Sequence, residues 1–404
     1  MKKTGTEQFI PQIKSGFIKT MKEKYDVSEE ESEHIVESFI RVIEDASSYL
    51  FSLNHSLPYS YIGYICGYLR YYYPLEFITT LLNINKDNAD KTTKALEYAN
   101  KHDIKIKPPK FRYSKAEYFM DKESNSIYKG IESIKYLNSE VAESLYELKD
   151  NQYNSFLDLL IDIHKKGIKI NSRQMNILIS IDFFSEFGKS QKLFDIVEIF
   201  DTIYMKQQNS KQGLVTFNKK KEMKYSTDII SKFAEKETDS QIKVAKAYEL
   251  CNYLINNEIK DFEMSSIDKV ITYFSTMGTC DYVFEDYMSS ICIVVDIITK
   301  YKVKRALLYN IASGKTIEVR IGEGIYELQQ FKQYDVVNLL HLFQKPKKKQ
   351  IEVEVEDKNG NISIKKKWMP TGEFELYADE YHWLDSDEIE ELNRQEKEYR
   401  ESLM

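Results

Sequence analysis

The stretch Gly130-Ile-Glu-Ser-Ile-Lys-Tyr-Leu-Asn-Ser-Glu-Val-Ala-Glu-Ser-Leu145 decides how this chain is read. It predicts two helices joined by a tight hairpin at residues 135–138. Asn138 or Ser139 caps the second helix, and Glu140 sits in its first turn, where a carboxylate suits the free N–H groups. Glycines flanking such a tip would let backbone N–H groups approach an anion. Here Tyr136 and Asn138 stand in those places, and Lys135 keeps a positive charge at the tip. A second unit follows: Phe156 to His164, a turn at Lys165-Lys166-Gly167, then Ser172-Arg173-Gln174 opening a helix through Ile181. Phe183-Phe184-Ser185-Glu186-Phe187-Gly188 closes it.

Working outward, residues 9 to about 100 predict helices. Ser28-Glu29-Glu30-Glu31 supplies a cap and an acidic first turn, followed by apolar Ile35, Val36, Phe39, Ile40 and Ile43. Pro58 and Pro74 bracket a further helix, Tyr59 to Tyr73, and Leu75 to Leu82 begins the next. Lys101 to Tyr118, with Pro108 and Pro109, suits an extended connection. On the other side, Met205 to Lys224 lapses into Gln, Asn, Ser and Lys and reads as a linker, with mixed helix over 226–286. Strands are predicted over 291–301, 303–310, 315–321 and 335–343, with a helix-like piece near Tyr326 to Gln333. Ile351 to Trp368 reads as a hairpin turning at Asn359-Gly360, and a charged helix follows from Ser386. The expected fold is multi-domain: mainly α in the N-terminal half, with a small β-barrel and a β-hairpin near the C-terminus. The expected divisions are 1–100, 101–207, 208–286, 287–347 and 348–404.

The 404 residues carry a formal net charge of −7, so any contact with nucleic acid must come from local basic patches. Lys101 to Lys115 and Lys345 to Lys349 are such patches, whereas acids gather over Asp379 to Glu401. The four cysteines, Cys66, Cys251, Cys280 and Cys292, show no CxxC spacing, which argues against a zinc ribbon or a disulfide framework and suits a reducing cytoplasm. The N-terminus lacks the apolar core of a signal peptide, and no uncharged apolar run approaches the roughly 18 residues of a membrane span.

Tyr49-Leu-Phe-Ser-Leu-Asn-His-Ser-Leu-Pro-Tyr-Ser-Tyr-Ile-Gly-Tyr64, continued by Gly67-Tyr-Leu-Arg-Tyr-Tyr-Tyr-Pro-Leu-Glu-Phe77, resembles the fingers segment of the bacterial replicative DNA polymerase III alpha subunit family. Tyr68, Leu69, Arg70, Tyr73, Pro74, Glu76 and Phe77 match that family's ending, and His55 and Ser56 its His and small-residue positions. Leu53 stands where many relatives carry a Lys. The resemblance implies that Asn54, His55, Ser56 and Arg70 face a nucleotide or template channel. It also makes the two units tandem helix-hairpin-helix motifs that hold duplex DNA through Lys135, Tyr136, Asn138, Ser139, Lys166, Gly167, Lys169 and Arg173, contacts that position without reading bases. The strand-rich region 288–347 then resembles an oligonucleotide-binding barrel, with Tyr301, Lys302, Lys304, Arg305, Tyr309 and Arg320 as candidates for a single strand.

The palm carboxylates that hold two Mg²⁺ ions in that family find no match. The one Asp-x-Asp, Asp385-Ser386-Asp387, reads as a helix cap; there is no Walker loop, and the six histidines are scattered. The resemblance therefore implies no catalytic residue, metal or cofactor in this chain, Mg²⁺ in a partner's palm, and inactivity of the chain alone. A split gene is expected, with palm and phosphoesterase domains on another polypeptide; the alternative is a stand-alone DNA-binding accessory or a truncated relic. Gln191-Lys-Leu-Phe194 resembles a sliding-clamp peptide but falls inside a predicted helix.

Overall fold

The computed structural model describes residues 9–47, 53–86, 88–356 and 362–403. The chain divides into two compact units, Met1–Phe77 and Ile78–Met404.

The first unit is helical: α1 (Ile10–Tyr25), α2 (Glu29–Ser47), α3 (Leu53–Tyr72) and the start of α4 (Pro74–Ile84). Ser28 Oγ accepts from the Glu31 N–H at 3.2 Å, as the Ser-Glu-Glu-Glu stretch predicts. Of the apolar stripe on α2, Val36 and Ile40 are buried, whereas Ile35 and Phe39 are exposed. Pro58 does not open α3, as the proline bracket predicts, but stands inside it, five residues after Leu53. Its fixed φ is helical, and so early in a helix it removes a single intrahelical hydrogen bond.

In the second unit, α5 (Ala89–Lys101) is capped by Asn88 and leads into a small sheet of β1 (Lys105–Lys107), β2 (Phe119–Asp121) and β3 (Ser126–Tyr128), ordered β1-β3-β2. The basic connection Lys101 to Tyr118 thus contributes a helix end and a strand, and Phe111 is fully buried. A helical layer follows: α6 (Ser139–Tyr146), α7 (Phe156–Lys165), α8 (Ser172–Ser180) and α9 (Ser190–Ile199), the last continuing through a π-helical turn, Phe200–Tyr204, into α10 (Met205–Gln208). The stretch read as a linker, 205–224, is instead part of the packed body. It supplies β4 (Val215–Asn218), which pairs with β6 (Gln241–Val244), itself flanked by β5 (Ala234–Glu237). Val215 shares one apolar core with Leu178, Phe184 and Leu250, so a buried strand residue overrides the polar composition around it. Between and after these strands come α11 (Thr227–Ser231), α12 (Ala247–Asn257) and α13 (Ser266–Met277).

The C-terminal part holds β7 (Ile291–Ile298), β8 (Val303–Asn310), β9 (Lys315–Gly322), α14 (Glu323–Leu328), β10 (Val336–Glu356), β11 (Ile362–Trp383) and α15 (Ser386–Ser402). Pairing runs β10-β11-β9-β8-β7 and returns from β7 to β10. With β11 parallel to β9 and a helix between the third and fourth strands, this is an OB-like sheet. The fifth strand is absent from 288–347: it comes from the return arm of the hairpin, through Leu376–Ala378 on β9. The predicted turn Asn359-Gly360 lies outside the described residues.

Asp385 caps α15 as its sequence predicts, accepting from the Glu388 N–H at 3.0 Å while Glu388 accepts from the Asp385 N–H at 3.0 Å. The helix is tied down by a buried pair: Glu396 accepts from the backbone and hydroxyl of Ser266 at the start of α13, and Arg400 donates to the Met264 carbonyl and to Tyr282.

One glycine is required by close approach. A Cβ on Gly130 would lie 2.4–2.7 Å from backbone atoms of Ala116, Glu117 and Tyr118. Gly130→Ala is expected to cost about 2 kcal/mol by urea titration, since backbone rather than a side-chain tip must yield. A loss below about 0.5 kcal/mol, the range of ordinary surface changes, would contradict that packing.

Candidate nucleic-acid interface

The first hairpin is shorter than the sequence predicts. Its leading helix is a single 3₁₀ turn, Ile131–Ser133, and Ile131, Ile134 and Leu137 are buried beneath it. Asn138 is the cap of α6, its Oδ1 accepting from the Val141 N–H at 3.0 Å. Tyr136 sits at φ +75°, in the left-handed region that glycine ordinarily fills. The backbone of a glycine hairpin is therefore kept with a tyrosine in it. Comparing Tyr136→Gly with Tyr136→Ala isolates the backbone, because both lose the ring. The glycine variant is expected to be more stable by about 1 kcal/mol; equal melting, or the reverse order, would contradict a left-handed residue 136.

The second hairpin locks onto the first. Asn171 and Gln174 form a reciprocal capping box at the start of α8, and Gln174 Nε2 also donates to the Tyr136 carbonyl at 3.2 Å. Arg173, on the exposed first turn of α8, lays its guanidinium 3.3 Å from the centre of the Tyr136 ring, and Lys135 Nζ lies 5.1 Å from the same centre. Lys135 hydrogen-bonds the Tyr136 hydroxyl, and with the nearby Arg173 charge it holds that phenol below its ordinary pKa. Lys135, Tyr136 and Arg173 thus form one exposed cationic cluster, from residues 38 positions apart in the chain. The Lys135 N–H donates to the Thr276 carbonyl at 2.9 Å, so α13 braces the tip.

The other hairpin candidates are placed differently. Gly167, at φ +67°, and Lys169 are exposed in the turn between α7 and α8. Lys166 is ion-paired with Asp162 at 3.1 Å, and Ser139 hydrogen-bonds Glu132. In the first unit, Asn54, His55 and Ser56 lie inside the first turns of α3 rather than in a turn before it, and the His55 and Tyr59 rings are 4.7 Å apart. Arg70 lies in the last turn of that helix, about 22 Å further along its axis. These four residues do not converge on one point.

On the barrel, Tyr301 is exposed in the loop between β7 and β8, with Lys300 over its ring at 5.0 Å and Arg305 at 6.0 Å. Lys304 donates to the Thr299 carbonyl at 3.0 Å, and Arg320 is paired with Glu375. Tyr309 is a core residue, fully buried and donating to the Tyr282 carbonyl at 2.7 Å. Gln191 to Phe194 belongs to α9, where Leu193 is buried and the Gln191 N–H is bonded to the Phe262 carbonyl. Among the described residues there is no group of three or more His, Cys, Asp or Glu arranged to hold a metal ion, and no helix long and apolar enough to cross a membrane.

Sequence reasoning missed the ion triad behind the hairpins. Lys269, fully buried on α13, donates to Asp182 and Glu263, each at 2.7 Å. Burial works against its charge, but the two carboxylates outweigh burial and lift its pKa above the lysine range. The triad borders a cavity of about 470 Å³ lined by Lys129, Asp182, Tyr273 and Asp281 among others, where burial pulls the Lys129 amine down to about 8. Glu263 is six residues from Lys269, but the triad is completed by Asp182, 87 residues away, which only the fold brings in.

The two hairpins hold each other and present cations at a left-handed turn, the arrangement of a tandem helix-hairpin-helix segment. The helix-hairpin-helix motif family matches residues 103–193, the segment that contains both hairpins. The chain is 30% identical over 202 residues to the DNA polymerase III subunit alpha of Ureaplasma parvum, covering 48% of this chain and 20% of that protein. It is 31% identical over 166 residues to the same subunit of Campylobacter jejuni, covering 40% of this chain and 14% of that protein. The Aquifex aeolicus subunit gives 31% over 173 residues, covering 42% of this chain and 15% of that protein. The resemblance to the C-terminal part of the DNA polymerase III alpha family is borne out, and the chain spans about a fifth or less of the length of these relatives.

Proposed function

We propose that this chain is the DNA-gripping portion of a DNA polymerase III alpha-type enzyme, working with palm carboxylates and phosphoesterase domain on another polypeptide. The observation that carries the reading is the Lys135–Tyr136–Arg173 cluster, exposed at the junction of two hairpins within the family-matched segment. Cations there neutralise backbone phosphates of a duplex, while the OB-like sheet receives a single strand. The reaction served is template-directed addition of deoxynucleotides, with Mg²⁺ held by the partner's palm.

Helix α3 supports the need for a partner. Tyr59, Tyr61, Ile62, Tyr64, Ile65, Tyr68, Leu69, Tyr71 and Tyr72 are all exposed. A helix that is apolar on every side is normally a buried helix, and a polymerase body around it would supply the cover. His55 and Arg70 at its two ends would then meet the template or the triphosphate.

The test is co-purification of the native protein followed by primer extension. The pure chain is expected to leave a primed template unextended in Mg²⁺ and dNTPs, and the co-purified assembly to extend it. Extension by the pure chain, lost in Asp385→Ala with Asp387→Ala, would overturn the placement of the palm on another chain.

A further inference from the structure

The strands β10 and β11 are much longer than the barrel needs. The barrel uses Val336–Asn338 of β10 on β7 and Leu376–Ala378 of β11 on β9. Beyond these, from Lys345 to Glu356 and from Ile362 to Glu375, the two strands pair only with each other. That ribbon reaches roughly 40 Å from its root, at about 3.4 Å per residue. A two-stranded ribbon on its own is marginal in water, so its surface calls for something to lie against.

The ribbon is rich in lysine. Seven lysines lie along the two arms, Lys345, Lys347, Lys348, Lys349, Lys365, Lys366 and Lys367, in a chain of net charge −7, with Glu375 opposite Lys345 and Glu352 opposite Lys366. Lys347 is paired with Glu373 at 2.6 Å, whereas no ion pair is found for Lys348, Lys349, Lys366 or Lys367 among the described residues. Large apolar side chains interrupt the cations: Trp368 is 62% exposed and Phe374 64%. The register sets the faces. Lys348 pairs with Pro370, Gln350 with Trp368 and Glu352 with Lys366, so Lys348, Trp368 and Lys366 share one face with Glu352; Lys349, Met369 and Lys367 share the other.

We propose that this arm holds single-stranded DNA on the face that carries Trp368. An exposed indole between two lysines is a stacking platform with phosphate partners at its sides. Duplex DNA keeps its bases stacked on each other and has no free face to offer the indole, which selects the single strand. This surface lies beyond the barrel face and the hairpins, so it extends the DNA-binding reading without depending on the Lys135–Arg173 cluster.

The test uses the full chain carrying Trp383→Phe, which leaves Trp368 as the one tryptophan of the two. Oligo-dT is expected to quench its fluorescence, and a duplex of the same length to leave it nearly unchanged. Lys348→Glu with Lys366→Glu is expected to weaken oligo-dT binding about tenfold or more and to reduce the salt slope by about 1.4, at about 0.7 for each phosphate contact on a single strand. Lys349→Glu with Lys367→Glu, on the opposite face, is expected to do much less, and Trp368→Phe to retain most of the affinity that Trp368→Ala loses. Duplex binding by all these variants serves as the control: if it persists while oligo-dT binding falls, the arm is assigned. No quenching by oligo-dT, equal quenching by duplex, or equal loss from the two faces overturns the proposal and leaves the hairpin reading untouched.

Discussion

Lys269→Met is expected to destabilise the second unit by about 3–5 kcal/mol, the cost of removing one partner from a buried charge cluster. The ammonium is 1% exposed and bridges Asp182 and Glu263, which are themselves largely covered. Methionine fills much the same volume, so the loss reports charge rather than a cavity. The pH dependence follows from the carboxylates. Burial already raises the Asp182 pKa against the opposing pull of Lys269; burial acts the same way on Glu263, but Lys269 and Ser190 hold it below the usual range, and without the ammonium both pKa values move upward. A carboxyl with a raised folded pKa keeps its proton longer in the folded state than in the unfolded chain. Stability is therefore lost as pH rises through the unfolded value near 4, and the deficit of Lys269→Met narrows on acidification toward that value. Adding Asp182→Asn and Glu263→Gln to Lys269→Met is expected to recover much of the deficit at neutral pH. A loss below about 1 kcal/mol for Lys269→Met alone, flat with pH, would show that the triad does not brace the hairpins.

Lys135→Glu with Arg173→Glu is expected to lower duplex affinity about 10²-fold at low salt. Each charge-assisted contact to phosphate contributes about 1.5 kcal/mol, and about 1.4 kcal/mol is a factor of ten. The loss should be equal on unrelated sequences, because phosphate contacts carry no base information. The salt slope should fall by about 1.8, at 0.9 for each duplex phosphate released. Both residues are exposed and neither carries a core contact, so melting should be nearly unchanged. Affinity that drops only in step with melting, or not at all, would return the cluster to the surface of a plain helical bundle.

The parts of this fold that were legible in the sequence are those set by neighbours. Asp385 and Glu388 form their capping box because both halves lie within one turn, and the start of α8 at Ser172 follows from the same local logic at Asn171 and Gln174. The strands over 303–310 and 315–322 show in the β-rich runs between turn residues. What stayed hidden depends on distance or on broken local rules. Tyr136 keeps a left-handed backbone that its own propensity disfavours, although its place in the hairpin marks a glycine position. Val215 lies in a polar stretch and is recruited by Val244, to which it pairs, 29 residues on. The fifth barrel strand arrives only after the long arm, so its membership is a matter of tertiary pairing. At the site, Lys135, Tyr136 and Arg173 were named from the chain, but their meeting around one ring required the fold. Arg320 and Lys166 show the converse: basic in sequence, they are matched by Glu375 and Asp162 in space.

The most direct test of the account is a titration of the full chain against two duplexes of unrelated sequence across a range of salt. The account predicts equal affinities on the two, falling linearly in log salt with a slope that reports several released counterions, and a shallower slope for Lys135→Glu with Arg173→Glu. Binding that prefers one sequence and barely responds to salt, or no duplex binding at low salt, would contradict it.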